Sequence, residues 1–163
     1  MNELRPATGS DVWVMAMTGE RRPRPFVQTK FNETGPRFSP DSRWLAYVSD
    51  ETGCNEVYVL PFPEPGRKVR ISTAGGSAPV WSRDGRELFY RQDTAMMSVR
   101  LTTDGDLSPR TPERLFTKPT TPYFDVAGDG RFLMNEPVES PPEKPIVAIL
   151  NFLEDLKTRL GPR

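Results

Sequence analysis

The stretch Pro79-Val80-Trp81-Ser82-Arg83-Asp84-Gly85-Arg86-Glu87-Leu88-Phe89-Tyr90 decides the fold. It reads as a short apolar strand, a tight polar turn, and a longer strand that stays apolar instead of alternating. A strand of that kind is buried on both faces. The same pattern occurs earlier as Pro36-Arg37-Phe38-Ser39-Pro40-Asp41-Ser42-Arg43-Trp44-Leu45-Ala46-Tyr47. It returns in weaker form as Phe124-Asp125-Val126-Ala127-Gly128-Asp129-Gly130-Arg131-Phe132-Leu133-Met134. The turn aspartates Asp41, Asp84 and Asp129 are thus 43 and 45 residues apart. A period in the low forties with a turn aspartate predicts one four-stranded propeller blade per repeat.

The turn chemistry supports this reading. Pro40 presets φ for the second position of a type I turn, and the aspartate carboxylate that follows can accept nearby backbone N–H groups. Gly85 and Gly130 stand where glycine is favoured at the end of such a turn. Outward from the turns, Glu56–Leu60 and Lys68–Ser72 supply two more strands to the first copy, and Met97–Leu101 and Glu113–Thr117 to the second. Pro145–Leu150 gives the third copy a third strand. Two lone strands, around Val12–Met17 and Pro25–Thr29, precede the first copy. The expected count is two, four, four and three strands. Asn151 can cap a closing helix, with Glu154 reaching back to it and Phe152, Leu153, Leu156 and Leu160 along one side. The expectation is an all-β chain: an incomplete β-propeller of about three four-stranded blades with a short C-terminal helix. Its parts are a half blade (1–35), blades at 36–78 and 79–122, a partial blade (123–151) and the helix (152–160).

Composition agrees and removes several kinds of chemistry. Eighteen prolines and twelve glycines among 163 residues exclude long helices, because each interior proline deletes a helical hydrogen bond. With no histidine, the chain cannot by itself form a Ser-His-Asp or Cys-His device. One cysteine, Cys54, excludes an intrachain disulfide and an all-cysteine metal cage. Lys and Arg number 22, as do Asp and Glu, so no net field draws the chain to nucleic acid. The longest aliphatic run, Ile146–Leu150, is far short of a membrane span, and the N-terminus lacks a signal peptide's apolar segment. As it stands the chain is expected to be cytoplasmic.

The turn segments resemble the WD-repeat-like blades of the TolB family of bacterial β-propellers, most closely those at the C-terminal end of bacterial serine/threonine kinase-type receptors. The resemblance rests on DVWVMAMTGERRPRPFVQTKFNE (11–33), GPRFSPDSRWLAYVSDETGCNEVYVLPFP (35–63), GGSAPVWSRDGRELFYR (75–91) and NFLEDL (151–156). It implies a non-catalytic module that displays rigid loops and a central channel to a protein or peptide partner. Its alternative is a sensory or regulatory fragment of a receptor kinase or of a propeller-gated peptidase; a piece of a longer TolB-like or receptor-kinase protein would lie outside the cytoplasm. The motif specifies a fold far better than a function, since propellers host many unrelated tasks.

Candidate sites reduce to structural roles at this level. Asp41, Asp84 and Asp129 sit in three different blades and are expected to cap their own turns rather than to share a cation. Asp104-Gly105-Asp106 lacks the rest of a calcium loop and reads as a hairpin turn. Gly75-Gly76-Ser77-Ala78-Pro79 has proline where a nucleophile elbow needs glycine. Asp50-Glu51, Glu154-Asp155 and the basic run Arg21-Arg22-Pro23-Arg24 with Lys30 read as solvated charge. Cys54 lies in a turn, and Trp13, Trp44 and Trp81 read as blade packing. No catalytic, metal or cofactor residue is expected, and no enzyme activity. A three-blade stack cannot close a ring, so the chain is expected to form a homodimer or to need further blades upstream. Trp13 and Phe26 should then lie on its open faces.

Overall fold

The computed structural model describes residues 9–102, 105–119 and 123–136. Within them the chain is all-β, with no helix. The closing helix expected at 152–160 and the strand expected at 145–150 lie outside the described residues.

Strands β1 (Val12–Val14) and β2 (Arg24–Val27) form an antiparallel pair. Next come β3 (Glu33–Phe38), β4 (Trp44–Ser49), β5 (Glu56–Pro61) and β6 (Val69–Arg70), hydrogen-bonded in chain order as a four-stranded sheet. The second sheet holds β7 (Ser77–Trp81), β8 (Glu87–Gln92) and β9 (Ala95–Thr102). Along the far edge of β9 run β10 (Ser108–Pro109) and then β11 (Glu113–Thr117). These two short pieces act as one outer strand broken at residues 110–112. Pro109 ends β10 and Pro112 closes the break, on an edge where a missing N–H costs least. A hairpin of β12 (Phe124–Val126) and β13 (Phe132–Met134) completes the described part.

The unbroken apolar runs divide by parity, as strands with two buried faces must. From β4 and β5, Trp44, Ala46, Val48, Val57 and Val59 turn toward the second sheet. They join Trp81, Leu88, Tyr90 and Val99 in one core cluster. The alternate residues Leu45, Tyr47, Tyr58 and Leu60 turn the other way, onto Val12, Phe26 and Val27 of the first pair. On the far side of the second sheet Phe89 meets Phe132 edge-on at 5.1 Å. Each sheet is thus a layer between two others, as blades are in a propeller. The inner strands stand side by side, β3 against β7 and β7 against β12. One sequence expectation changes: Phe26 is 7 % exposed and stacks on Phe62 at 5.2 Å, whereas Trp13 is 46 % exposed.

Candidate functional site

The repeat turns fix the end of the molecule where the candidate site lies. In the first, Ser42 N donates to Ser39 O at 2.8 Å, closing a type I turn, and Ser42 takes a φ of 57°. That left-handed residue sits inside a four-residue loop, closed where Ser39 N donates to Trp44 O at 2.9 Å. Asp41 Oδ1 accepts the Ser39 hydroxyl at 2.6 Å and Arg43 N at 3.1 Å, while Arg43 Nε donates to Oδ2 at 2.6 Å. The hydroxyl of Ser39, then Arg43, hold the Asp41 carboxyl down at about 2. The second turn repeats this. Asp84 Oδ1 accepts the Ser82 hydroxyl at 2.7 Å and Arg86 N at 3.1 Å, which lowers its carboxyl in the same way. In both, the serine oxygen also accepts a strand N–H, from Trp44 at 3.0 Å and from Glu87 at 2.9 Å.

The third turn keeps the aspartate and loses the serine. Asp129 Oδ1 accepts Arg131 N at 3.2 Å and Oδ2 accepts Arg131 Nε at 2.8 Å, but Ala127 has no hydroxyl to hold a further N–H. Its loop is one residue tighter. Phe38 pairs with Leu45 and Trp81 with Leu88, yet Val126 pairs with Phe132 rather than Leu133. A one-residue slip exchanges the two faces of a strand. Phe132 therefore takes the inward place that Leu45 and Leu88 hold in their sheets, and Leu133 is left 73 % exposed.

Beside these turns the ends of the inner strands border a groove of about 740 Å³. Arg37 and Phe38 line it from β3, Trp81 and Arg83 from the end of β7, and Tyr123 and Asp125 from the start of the last hairpin. Trp81 Nε1 donates to Arg37 O at 3.2 Å and ties the two sheets at its floor. Arg83 lies across Gly128, where a Cβ would stand 2.8 Å from Arg83 Cδ. The Arg37 guanidinium bonds only the Pro36 carbonyl, at 3.2 Å, and among the described residues neither Arg37 nor Arg83 has a carboxylate partner. Two cations beside an exposed tyrosine and Phe38 suit an extended peptide bearing carboxylates. Sequence reasoning missed this pair. Arg37 and Arg83 occupy different positions of their repeats, so no spacing links them, and only the side-by-side inner strands bring them together.

Of the other singled-out residues that the structure describes, all but Trp81 lie apart from the groove. Asp50 accepts Asn32 N at 2.9 Å and Asn32 Nδ2 at 2.6 Å, bonds that lower its carboxyl, and Glu51 pairs with Lys68. Arg21 Nε donates to Met17 O at 3.1 Å, Arg22 stands 3.6 Å from Glu20, and Arg24 leans over Phe26. Cys54 is exposed beside Gly53, which adopts a φ of 90°. Trp44 and Trp81 pack in the core between the two larger sheets, and Trp13 does not. Gly76 backs onto Ser72, whose hydroxyl accepts Val57 N at 2.7 Å and donates to buried Glu56. That places the Gly75–Pro79 stretch in blade architecture.

No protein-family model matches the chain. Over 92 residues it is 32 % identical to the uncharacterized peptidase YuxL of Bacillus subtilis (strain 168), a match covering 55 % of this chain and 14 % of that protein. A TolB-type protein of Agrobacterium tumefaciens superposes with a TM-score of 0.56 at 20 % identity, covering 78 % of this chain and 51 % of that one. TolB from Acinetobacter baumannii gives 0.46 at 18 % identity, over 83 % of this chain and 46 % of that one. The chain thus spans about half the length of the TolB-type structures, and its fold is a TolB-like β-propeller. The expectation that it is not an enzyme is corrected here. A relative at 32 % identity is named as a peptidase, so the lack of histidine does not separate this chain from enzymatic work.

Proposed function

We propose that this chain is a propeller segment serving peptide hydrolysis, with the groove beside its repeat turns receiving an extended peptide. The observation that carries the reading is the stretch shared with a peptidase over more than half of the chain. The groove supplies the chemistry: Arg37 and Arg83 for carboxylates, Phe38 and Tyr123 for apolar and aromatic side chains, and rigid inner strands to hold them in place. The alternative setting, a sensory or regulatory propeller of a receptor kinase, rests only on the likeness of stretches 11–33, 35–63, 75–91 and 151–156 to such propellers. It would use the same groove.

The test is fluorescence anisotropy with labelled nonapeptides of acidic, neutral and basic sequence. Saturable binding in the order acidic, neutral, basic is expected, and replacing both Arg37 and Arg83 with Glu should weaken the acidic peptide by about tenfold or more. Absence of saturable binding at millimolar peptide, or binding indifferent to the double replacement, overturns the reading.

A further inference from the structure

The second residue of each repeat turn lines the groove. The turns close with Ser42 N on Ser39 O, Gly85 N on Ser82 O and Gly130 N on Ala127 O, which makes Pro40, Arg83 and Gly128 equivalent. Each comes from a different sheet, and all three border the groove. That position of a type I turn takes most side chains and favours proline, as in the first turn. Backbone conformation therefore does not explain the glycine in the third. Gly85 and Gly130 take φ values of 72° and 83°, whereas Gly128 stays outside the left-handed region.

The neighbouring arginine does explain it. A Cβ on Gly128 would stand 2.8 Å from Arg83 Cδ, 3.1 Å from Nη1 and 3.7 Å from Nε, so the end of the arginine lies along the bare backbone of the next turn. One sheet earlier Pro40 makes the corresponding contact with more room, its Cδ 3.5 Å from the Cβ position of Gly85. Arg83 also stands between two cavities. On one side is the groove with Arg37, Phe38 and Tyr123. On the other a space of about 390 Å³ carries Asp84, Glu87 and Phe89, and Arg83, Val126 and Gly128 border both. Neither of those carboxylates forms an ion pair with Arg83.

We propose that Gly128 is a specificity-determining position of the groove: its missing side chain seats the Arg83 guanidinium at the groove's border, and so selects a peptide bearing a carboxylate over a neutral one. This rests on the peptide-binding reading of the groove. A methyl group at residue 128 takes the seat. The clash is with the end of a flexible side chain, so Arg83 moves and the turn stays. Displaced toward the second cavity, the guanidinium meets Asp84 and Glu87, which then compete with the ligand for its N–H groups. Arg37 bonds the Pro36 carbonyl and does not depend on the seat, so part of the preference for acidic peptide survives.

The test is Gly128→Ala, read with the same labelled acidic and neutral nonapeptides. Affinity for the acidic peptide should fall about three- to tenfold while the neutral peptide binds as before. Arg83→Ala should weaken the acidic peptide too, and adding Gly128→Ala to it should change nothing further, because no guanidinium is left to seat. The melting temperature of Gly128→Ala should not drop, since alanine at an ordinary φ stabilises a chain. The Arg83 Nε–H resonance in NMR spectra, assigned by its loss in Arg83→Ala, should shift in Gly128→Ala without any peptide present. An equal loss for both peptides, an unchanged acidic affinity, or an effect that persists without Arg83 overturns the inference. Failure of both peptides to bind the unaltered chain overturns the groove reading instead, and an Arg83 resonance that stays in place in Gly128→Ala removes the seat by itself.

Discussion

At Ser39 and Ser82 six residues lie between the last paired positions of the two strands, and at Ala127 there are five. All three loops carry the same aspartate, each accepting the N–H two residues on. The difference is one hydroxyl. The hydroxyls of Ser39 and Ser82 each accept a strand N–H, and the N–H of each serine reaches the carbonyl five residues on, whereas Ala127 N pairs with Arg131 O, four residues on. The lesson is that the aspartate makes the turn and the serine sets its length. Length in turn decides which face of the next strand enters the core.

The largest effects should come from residues that this register places inward. Leu45→Ala and Leu88→Ala, both at 2 % exposure or less, should cost about 2–5 kcal/mol in urea denaturation. Phe132→Ala should cost about 2–3 kcal/mol, since its ring meets Phe89, Phe116 and Phe124. Leu133→Ala should stay within about 0.5 kcal/mol. Similar costs for Phe132 and Leu133 would break the comparison.

Next in size is the hydroxyl itself. Ser39→Ala leaves the buried Trp44 N–H without its acceptor and should cost about 1–3 kcal/mol. Ala127→Ser should change the denaturation midpoint little, because no N–H there waits for an oxygen.

Acid titration sharpens the same contrast. The Asp41 and Asp84 carboxyls are held below the ordinary value of about 4, so their contribution is full above that pH. It is lost as pH falls, for Asp41 through about 2. Melting temperature should therefore drop between about pH 4 and 2, and less steeply in Ser39→Ala/Ser82→Ala. An unchanged slope in that variant would remove the serines from the carboxylates' environment. A small effect of opposite sign is expected at the left-handed residue. Ser42→Gly should stabilise by about 0.5–1 kcal/mol, as glycine adopts a φ of 57° without strain.

Much of this architecture is legible in the sequence because the repeat carries it locally. Proline and aspartate make the turns, and the unalternating WLAYV and ELFY runs announce strands with two buried faces. The slip at Ala127 was not legible: Asp129-Gly130-Arg131-Phe132 aligns with Asp41-Ser42-Arg43-Trp44 residue for residue, and the shift arises from a hydrogen bond that is missing. From sequence alone Phe26 reads as open, because the strand facing it, with Leu60 and Phe62 at its end, belongs to the following blade. The groove was the least legible feature, since Arg37 and Arg83 meet only once two inner strands stand side by side.

A double-mutant cycle between Phe89 and Phe132, run beside one between Phe89 and Leu133, tests the slipped register most directly. The account predicts a coupling of about 1 kcal/mol for the first pair, as for other edge-on aromatic contacts, and none resolvable for the second. Coupling that appears with Leu133 and vanishes with Phe132 would contradict it, returning the third hairpin to the register of the other two.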